Sequence, residues 1–167
     1  MIAELPTADQ VAALSETVAG TVTAETLDGN DHMNVVQYLM WGTKGADALV
    51  RAIGIDDVYR GERMMGLFTA QHHPAYYSEL RDGDQFIVAG RILDRSAKAV
   101  HRMTFLLDTG RGRVANTLEI LLLHVELRHR RAVELPNDIA DALDKHIARS
   151  RTMSWPAPVC GAIRIRR

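Results

Sequence analysis

One long helical run followed by a series of strand-like runs constrains this fold more than any other feature of the chain. Between Asn34 and Ile53, the residues Val35, Leu39, Gly42, Ala46, Leu49 and Ile53 recur at steps of four and three, which predicts a helix with one apolar stripe. Gly42 and Gly45 are poor helix formers, and their small size makes sense where a sheet lies close against the helix. Gly54 fits the C-terminal cap. Beyond it, Met64–Ala70, Ala75–Leu80, Gln85–Asp94, Ala99–Asp108 and Arg113–Leu127 read as strands. Turn signals at Asp82-Gly83-Asp84, Arg95–Lys98 and Thr109-Gly110-Arg111-Gly112 separate several of them. Ahead of the helix, residues 7–15 read as a short helix capped by Thr7, and Thr17–Thr26 as a strand rich in Thr and Val. Pro136 opens a last helix, roughly Asn137–Arg149. Strand, long helix, then consecutive strands is an α+β order and not alternating βαβ. A single long helix on an antiparallel sheet requires the sheet to curl around it, and pairing with a second copy would cover the exposed strand edges.

Composition excludes several classes. The 167 residues point to one domain, with a core over about 17–147 and a tail over 150–167. A net charge of −1 gives no bulk field for nucleic acid or a membrane surface. No apolar stretch approaches the roughly 18 residues that a membrane span needs, and Met1–Gln10 has no secretory pattern. The single cysteine, Cys160, excludes an intramolecular disulfide and fits a reducing, cytoplasmic setting.

The chemistry concentrates in Asp28-Gly29-Asn30-Asp31-His32-Met33-Asn34, with Tyr38 one turn later. A carboxylate and an imidazole stand four residues apart on a turn that enters the helix, where backbone N–H groups around Met33–Val35 are available to polarise a carbonyl. Asn34 suits the helix N-cap. His72 and His73 point to opposite faces of an extended segment. No third ligand has metal-like local spacing, so no metal is expected. Glu119 and His124 likewise face opposite sides of an unbulged strand, and a buried Glu119 would need a partner. His101 reads as structural or exposed.

Together these features resemble the hotdog-fold acyl-CoA thioesterases of the 4-hydroxybenzoyl-CoA thioesterase type. That group carries an Asp-x-x-Gly-His-x-Asn turn and a Tyr at the start of its central helix, matched here by Asp28, His32, Asn34 and Tyr38. Tyr76-Tyr77-Ser78-Glu79-Leu80-Arg81-Asp82-Gly83-Asp84 is similar to its aromatic strand ending in Glu-x-x-x-Gly-Asp. The run from Ala115 to Val125, followed by Leu135-Pro136, resembles the betainyl-CoA thioesterase-like members. Two positions depart from the pattern: Asp31 replaces a glycine, and Gln71 replaces a glutamate two residues before His73.

The resemblance implies an α+β hotdog fold, a curled antiparallel β-sheet wrapped around one long central helix. It implies hydrolysis of a short-chain, aromatic or cationic acyl-CoA thioester. Asp28 would act as general base or nucleophile, with His32 and Asn34 beside it. Tyr38, His73, Tyr76 and Glu119 would contact substrate, with Trp41 and Tyr77 also near the acyl pocket. Arg95 and Lys98 would meet the phosphates of CoA, with Arg111 and Arg113 as further candidates. Coenzyme A enters as part of the substrate and no separate cofactor is implied. The expected assembly is a homodimer or a dimer of dimers. A non-catalytic acyl-CoA-binding hotdog protein is the alternative, and the pattern of a hotdog dehydratase is missing.

Overall fold

The computed structural model describes residues 4–15 and 18–165. The elements run in the order α1 (Ala8–Ala12), β1 (Val18–Thr21), a 3-10 turn (Ala24–Thr26), α2 (Val35–Ala52), α3 (Asp57–Arg63), β2 (Met65–Tyr76), β3 (Gln85–Arg95), β4 (Ala99–Asp108), β5 (Arg113–Glu126), β6 (Arg131–Ala132) and α4 (Asn137–Arg151). The sheet order is β1-β3-β4-β5-β2, with β6 paired to β5, so β1 and β2 are its outer strands. Thr23 ends the first strand early by bonding into the 3-10 turn, where its N–H donates to Thr26 Oγ1 at 3.1 Å. Thr17, part of the expected strand, lies outside the described residues. The expected strands Met64–Ala70 and Ala75–Leu80 are one strand, β2, which passes through Pro74 and stops at Tyr76. An outer strand tolerates that proline because one of its edges makes no ladder bonds. Helix α3 was not expected. Asp56 caps it by accepting from the Tyr59 N–H at 2.8 Å, a cap signal hidden in a short, charged stretch.

The chain divides into two compact units. The first comprises Met1–Leu49, Pro74–Gly90 and Thr104–Leu118. Here β1 pairs antiparallel with β3, Gly20 opposite Phe86. A core of Val22, Met33, Tyr38, Leu80, Phe86, Val88, Leu106 and Ala115 is flanked by Trp41, whose ring meets Phe86 edge-on at 5.0 Å. Helix α2 buries Tyr38, Gly42, Gly45, Ala46 and Leu49. The expected stripe is therefore rotated at its start: Val35 and Leu39 are exposed, and Tyr38 takes the inward place. Close approach of the helix depends on its glycines. A Cβ on Gly45 would stand 2.5 Å from Val88 Cγ1, and one on Gly42 would stand 2.9 Å from Leu118 Cδ2.

The second unit comprises Val50–His73, Arg91–Met103 and Glu119–Arg167. Its core includes Ile139, Leu143 and Ile147 from α4. Arg91 holds the chain after that helix. Its guanidinium donates to Ser150 Oγ (3.0 Å), Ser150 O (2.7 Å) and Trp155 O (3.0 Å), and it stacks 4.2 Å from the Trp155 ring centre. Buried His124 donates through Nδ1 to Val133 O at 3.2 Å, which leaves Nε2 to accept from the Tyr59 hydroxyl at 2.7 Å.

These contacts predict opposite signs for two glycine substitutions. Gly45→Ala gains about 1 kcal/mol of helix propensity but forces a methyl into the buried, branched Val88, at about 1–3 kcal/mol. Its melting temperature should fall by about 2–6 °C. Gly61→Ala, in α3 with nothing near the new methyl, should raise it by about 2–4 °C. Differential scanning calorimetry of both variants reads the contrast.

Candidate active site

The turn predicted to carry the chemistry is a closed loop in the first unit. Leu27 and Met33 form a β-bridge across its base. The Asp28 N–H donates to His32 O at 2.9 Å, and the Asp31 N–H to Asp28 O at 3.1 Å. Closing so short a loop places Asp31 in the left-handed region, at φ 58°. Glycine adopts that conformation without strain, and Asp tolerates it better than most residues.

Asp28 is positioned through one of its oxygens. Oδ1 accepts the Asn30 N–H at 2.8 Å and lies 3.4 Å from His32 Nδ1. Oδ2 has no hydrogen-bond partner among the described residues, which leaves it open to a water or substrate. Both side chains are about one-third exposed or less, at 27% for Asp28 and 32% for His32. Asn34 caps α2, its Oδ1 accepting the Val36 N–H at 2.8 Å. The amide donors of the helix entry are mostly engaged: Met33 N–H donates to Leu80 O (2.7 Å) and Asn34 N–H to Thr26 O (2.8 Å). Of the stretch Met33–Val35, only the Val35 amide has no partner among the described residues.

Asp28, His32, Met33, Val35, Tyr38, Tyr76, Ser78 and Glu79 line one cavity of about 270 Å³. Tyr38 and Tyr76 meet edge-to-face there, with centroids 5.3 Å apart and planes at 82°. The Tyr38 hydroxyl accepts the buried Leu80 N–H at 3.1 Å, and burial pushes its phenol above the ordinary tyrosine value. One lining residue was missed in the sequence: Ser78, whose Oγ is shielded and has no hydrogen-bond partner among the described residues. The open Val35 amide falls within the Met33–Val35 stretch read from the sequence as a source of carbonyl-polarising donors. Ser78 lies inside the quoted aromatic segment, but nothing in one sequence says which of its residues turns inward.

The remaining candidates stand elsewhere. Trp41 packs on Phe86 in the core, and Tyr77 bonds Thr117 Oγ1 at 3.1 Å. In the second unit, His73 and Glu119 come together, with Cys160. His101, expected to be structural or exposed, is buried with Nε2 2.7 Å from Glu119 Oε1. His124 turns to Tyr59 instead, as the strand parity required. Arg95 and Lys98 line a separate hollow of about 760 Å³, where Arg95 is already paired with Asp144 through Nε at 2.7 Å. Arg111 is likewise engaged by Asp84 and Asp108.

Tyr38→Phe should destabilise the chain by about 1–2 kcal/mol, because it strands the buried Leu80 N–H. Equilibrium urea unfolding measures this, and amide exchange at Leu80 should accelerate in the same variant.

Comparison with known proteins places this geometry in a family. Residues 22–143 match the Thioesterase-like superfamily. The betainyl-CoA thioesterase of Pseudomonas aeruginosa is 27% identical over 138 residues, 83% of this chain and 87% of that protein. The L-carnitine dehydrogenase/betainyl-CoA thioesterase of Rhizobium meliloti is 29% identical over 118 residues, 71% of this chain. There the chain spans only 24% of the relative's length. A Staphylococcus aureus protein, SAV2348, solved in complex with CoA, superposes with a TM-score of 0.76 at 27% identity, covering 99% of this chain and 98% of that one. The chain belongs to the Thioesterase-like superfamily and has its α+β hotdog fold.

Proposed function

We propose that this chain hydrolyses an acyl-CoA thioester at the Asp28 turn, and that the acyl group is compact and cationic, of the betainyl type. The observation that carries this reading is one cavity that joins a carboxylate with an open oxygen, an unengaged helix-entry amide and an edge-to-face tyrosine pair. Asp28 Oδ2 takes a proton from water, and the water oxygen attacks the thioester carbonyl. The Val35 N–H donates to the developing oxyanion, a contact worth about 3–4 kcal/mol when well aimed. Collapse of the intermediate breaks the C–S bond, and CoA leaves as thiolate and is protonated. His32 holds Asp28 in place from Nδ1.

The size of the cavity favours a small acyl group, since about 270 Å³ is just below the range of about 300–1,000 Å³ that ligand sites span. Tyr38 and Tyr76 offer π-faces and Asp28 a negative charge, the combination that attracts a quaternary ammonium. The names of the relatives in Pseudomonas aeruginosa and Rhizobium meliloti support the same substrate class. CoA is consumed as part of the substrate. Arg95 remains a phosphate contact only if CoA competes with Asp144, which makes Lys98 the better candidate of the two. Exposed Val35, Val36, Leu39 and Met40 on α2, with Tyr76 and Tyr77, form apolar surface that a second copy of the chain would cover. That supports a homodimer.

Thiol release from betainyl-CoA and from its neutral isostere, with a quaternary carbon in place of nitrogen, tests both parts. The cationic substrate should be favoured about tenfold in kcat/KM, and Asp28→Asn should lower kcat at least about a hundredfold. Turnover unchanged in Asp28→Asn contradicts the role of the base. Tight binding of both compounds without thiol release would instead identify a non-catalytic acyl-CoA-binding protein.

A further inference from the structure

Glu119 has no part in the hydrolytic scheme, yet its surroundings have the composition of a metal site. It is 1% exposed in the middle of β5. Oε1 lies 2.7 Å from Nε2 of His101 on β4, and Oε2 accepts the Cys160 N–H at 2.7 Å. Burial alone would raise its carboxyl; hydrogen bonds from His101 and Cys160 outweigh that and hold it below the ordinary glutamate range. Its carboxylate pairs with the imidazole of His101. His73 reaches the same place from β2, and Cys160 from the segment after α4. One ligand atom of each of His73, Glu119 and Cys160 lies within 4.8 Å of the others.

We propose that His73, Glu119 and Cys160 bind one divalent cation of the zinc type through an imidazole nitrogen, a carboxylate oxygen and a thiolate sulfur. The mixed N, O and S set selects a borderline metal over magnesium or calcium, which prefer oxygen alone. Ligand atoms around tetrahedral zinc stand about 3.3–3.8 Å apart, so atoms that lie within 4.8 Å of one another need draw in by no more than about 1.5 Å. His73 is exposed and Cys160 half-buried, which leaves both room to move. Glu119, locked between strands, is the fixed anchor, and His101 orients its carboxylate as an outer partner. Binding breaks the Cys160 S–H bond, forms the metal–sulfur bond and releases one proton to solvent, so affinity rises with pH. Three protein ligands leave a fourth position for water. The bound cation would clasp the C-terminal segment to β2 and β5. Local spacing around His72 and His73 gave no hint of this, because the other two ligands come from distant parts of the chain.

The full chain, stripped with a chelator, is titrated with Co²⁺ and then with Zn²⁺. One equivalent of Co²⁺ should bind with a thiolate-to-cobalt charge-transfer band and tetrahedral visible bands, both erased by Zn²⁺. Zn²⁺ at about a hundredfold excess over its Kd should raise Tm by about 5–10 °C. Glu119→Gln should weaken Co²⁺ binding, though loss of a buried charge pair also perturbs the fold, so two surface-accessible ligands give the cleaner test. Cys160→Ser should abolish the charge-transfer band, and His73→Ala should weaken Co²⁺ at least about tenfold. Neither position is in the core, so both variants should fold, with circular dichroism as the check. A cobalt spectrum without the sulfur band, or affinity unchanged in both variants, overturns the site.

Discussion

The closeness of α2 to the strands beneath it is the constraint on which the first unit depends. Gly42 and Gly45 remove the side chains that would hold the helix off Leu118 and Val88. With the helix down, Tyr38 reaches the Leu80 N–H, and the Met33 N–H reaches Leu80 O. Those two bonds tie the start of the helix to the segment after β2. They place the Asp28 turn and Tyr76 on the walls of one cavity. The corner that holds the Asp28 turn is thus a consequence of packing, and two glycines with poor helix propensity matter for what they let approach.

Within that corner, each short-range feature serves the next. The β-bridge between Leu27 and Met33 fixes the loop ends, and loop closure drives Asp31 into a left-handed conformation. The same closure turns the Asn30 N–H onto Asp28 Oδ1, so one carboxylate oxygen is engaged and the other is left open. Asn34 consumes the Val36 amide as a cap, and the Met33 and Asn34 amides are engaged by neighbouring carbonyls. Among the described residues of the helix entry, the Val35 amide is left open, and the proposed mechanism uses it as the donor to the oxyanion. A site with one backbone donor relies more on the alignment of its water and base than a site with two.

Much of this was legible in the sequence because it is local. The long helix, the strand series, the turn at Asp28 and the close approach at Gly42 and Gly45 all follow from residue spacing. Non-local facts were harder to read. The rotation of the α2 stripe toward Tyr38 depends on Leu80, far along the chain, and the partner of Glu119 turned out to be His101 across a strand pair. Strand parity correctly separated Glu119 from His124, because alternation is a local rule. Arg95 looked like a free cation since Asp144, which pairs with it, lies on α4. Single residues such as Ser78 were invisible for the same reason: type and spacing do not say which way a side chain turns in an irregular segment.

The proposed mechanism seats the acyl carbonyl between the Val35 amide and Asp28. A crystal structure with a betainyl-CoA ketone analogue, in which a methylene replaces the sulfur, measures this directly. The ketone oxygen should lie about 3 Å from the Val35 nitrogen, with the ammonium against Tyr38 and Tyr76 and a water on Asp28 Oδ2. An analogue bound with its carbonyl elsewhere, leaving the Val35 amide and Asp28 untouched, would contradict that mechanism.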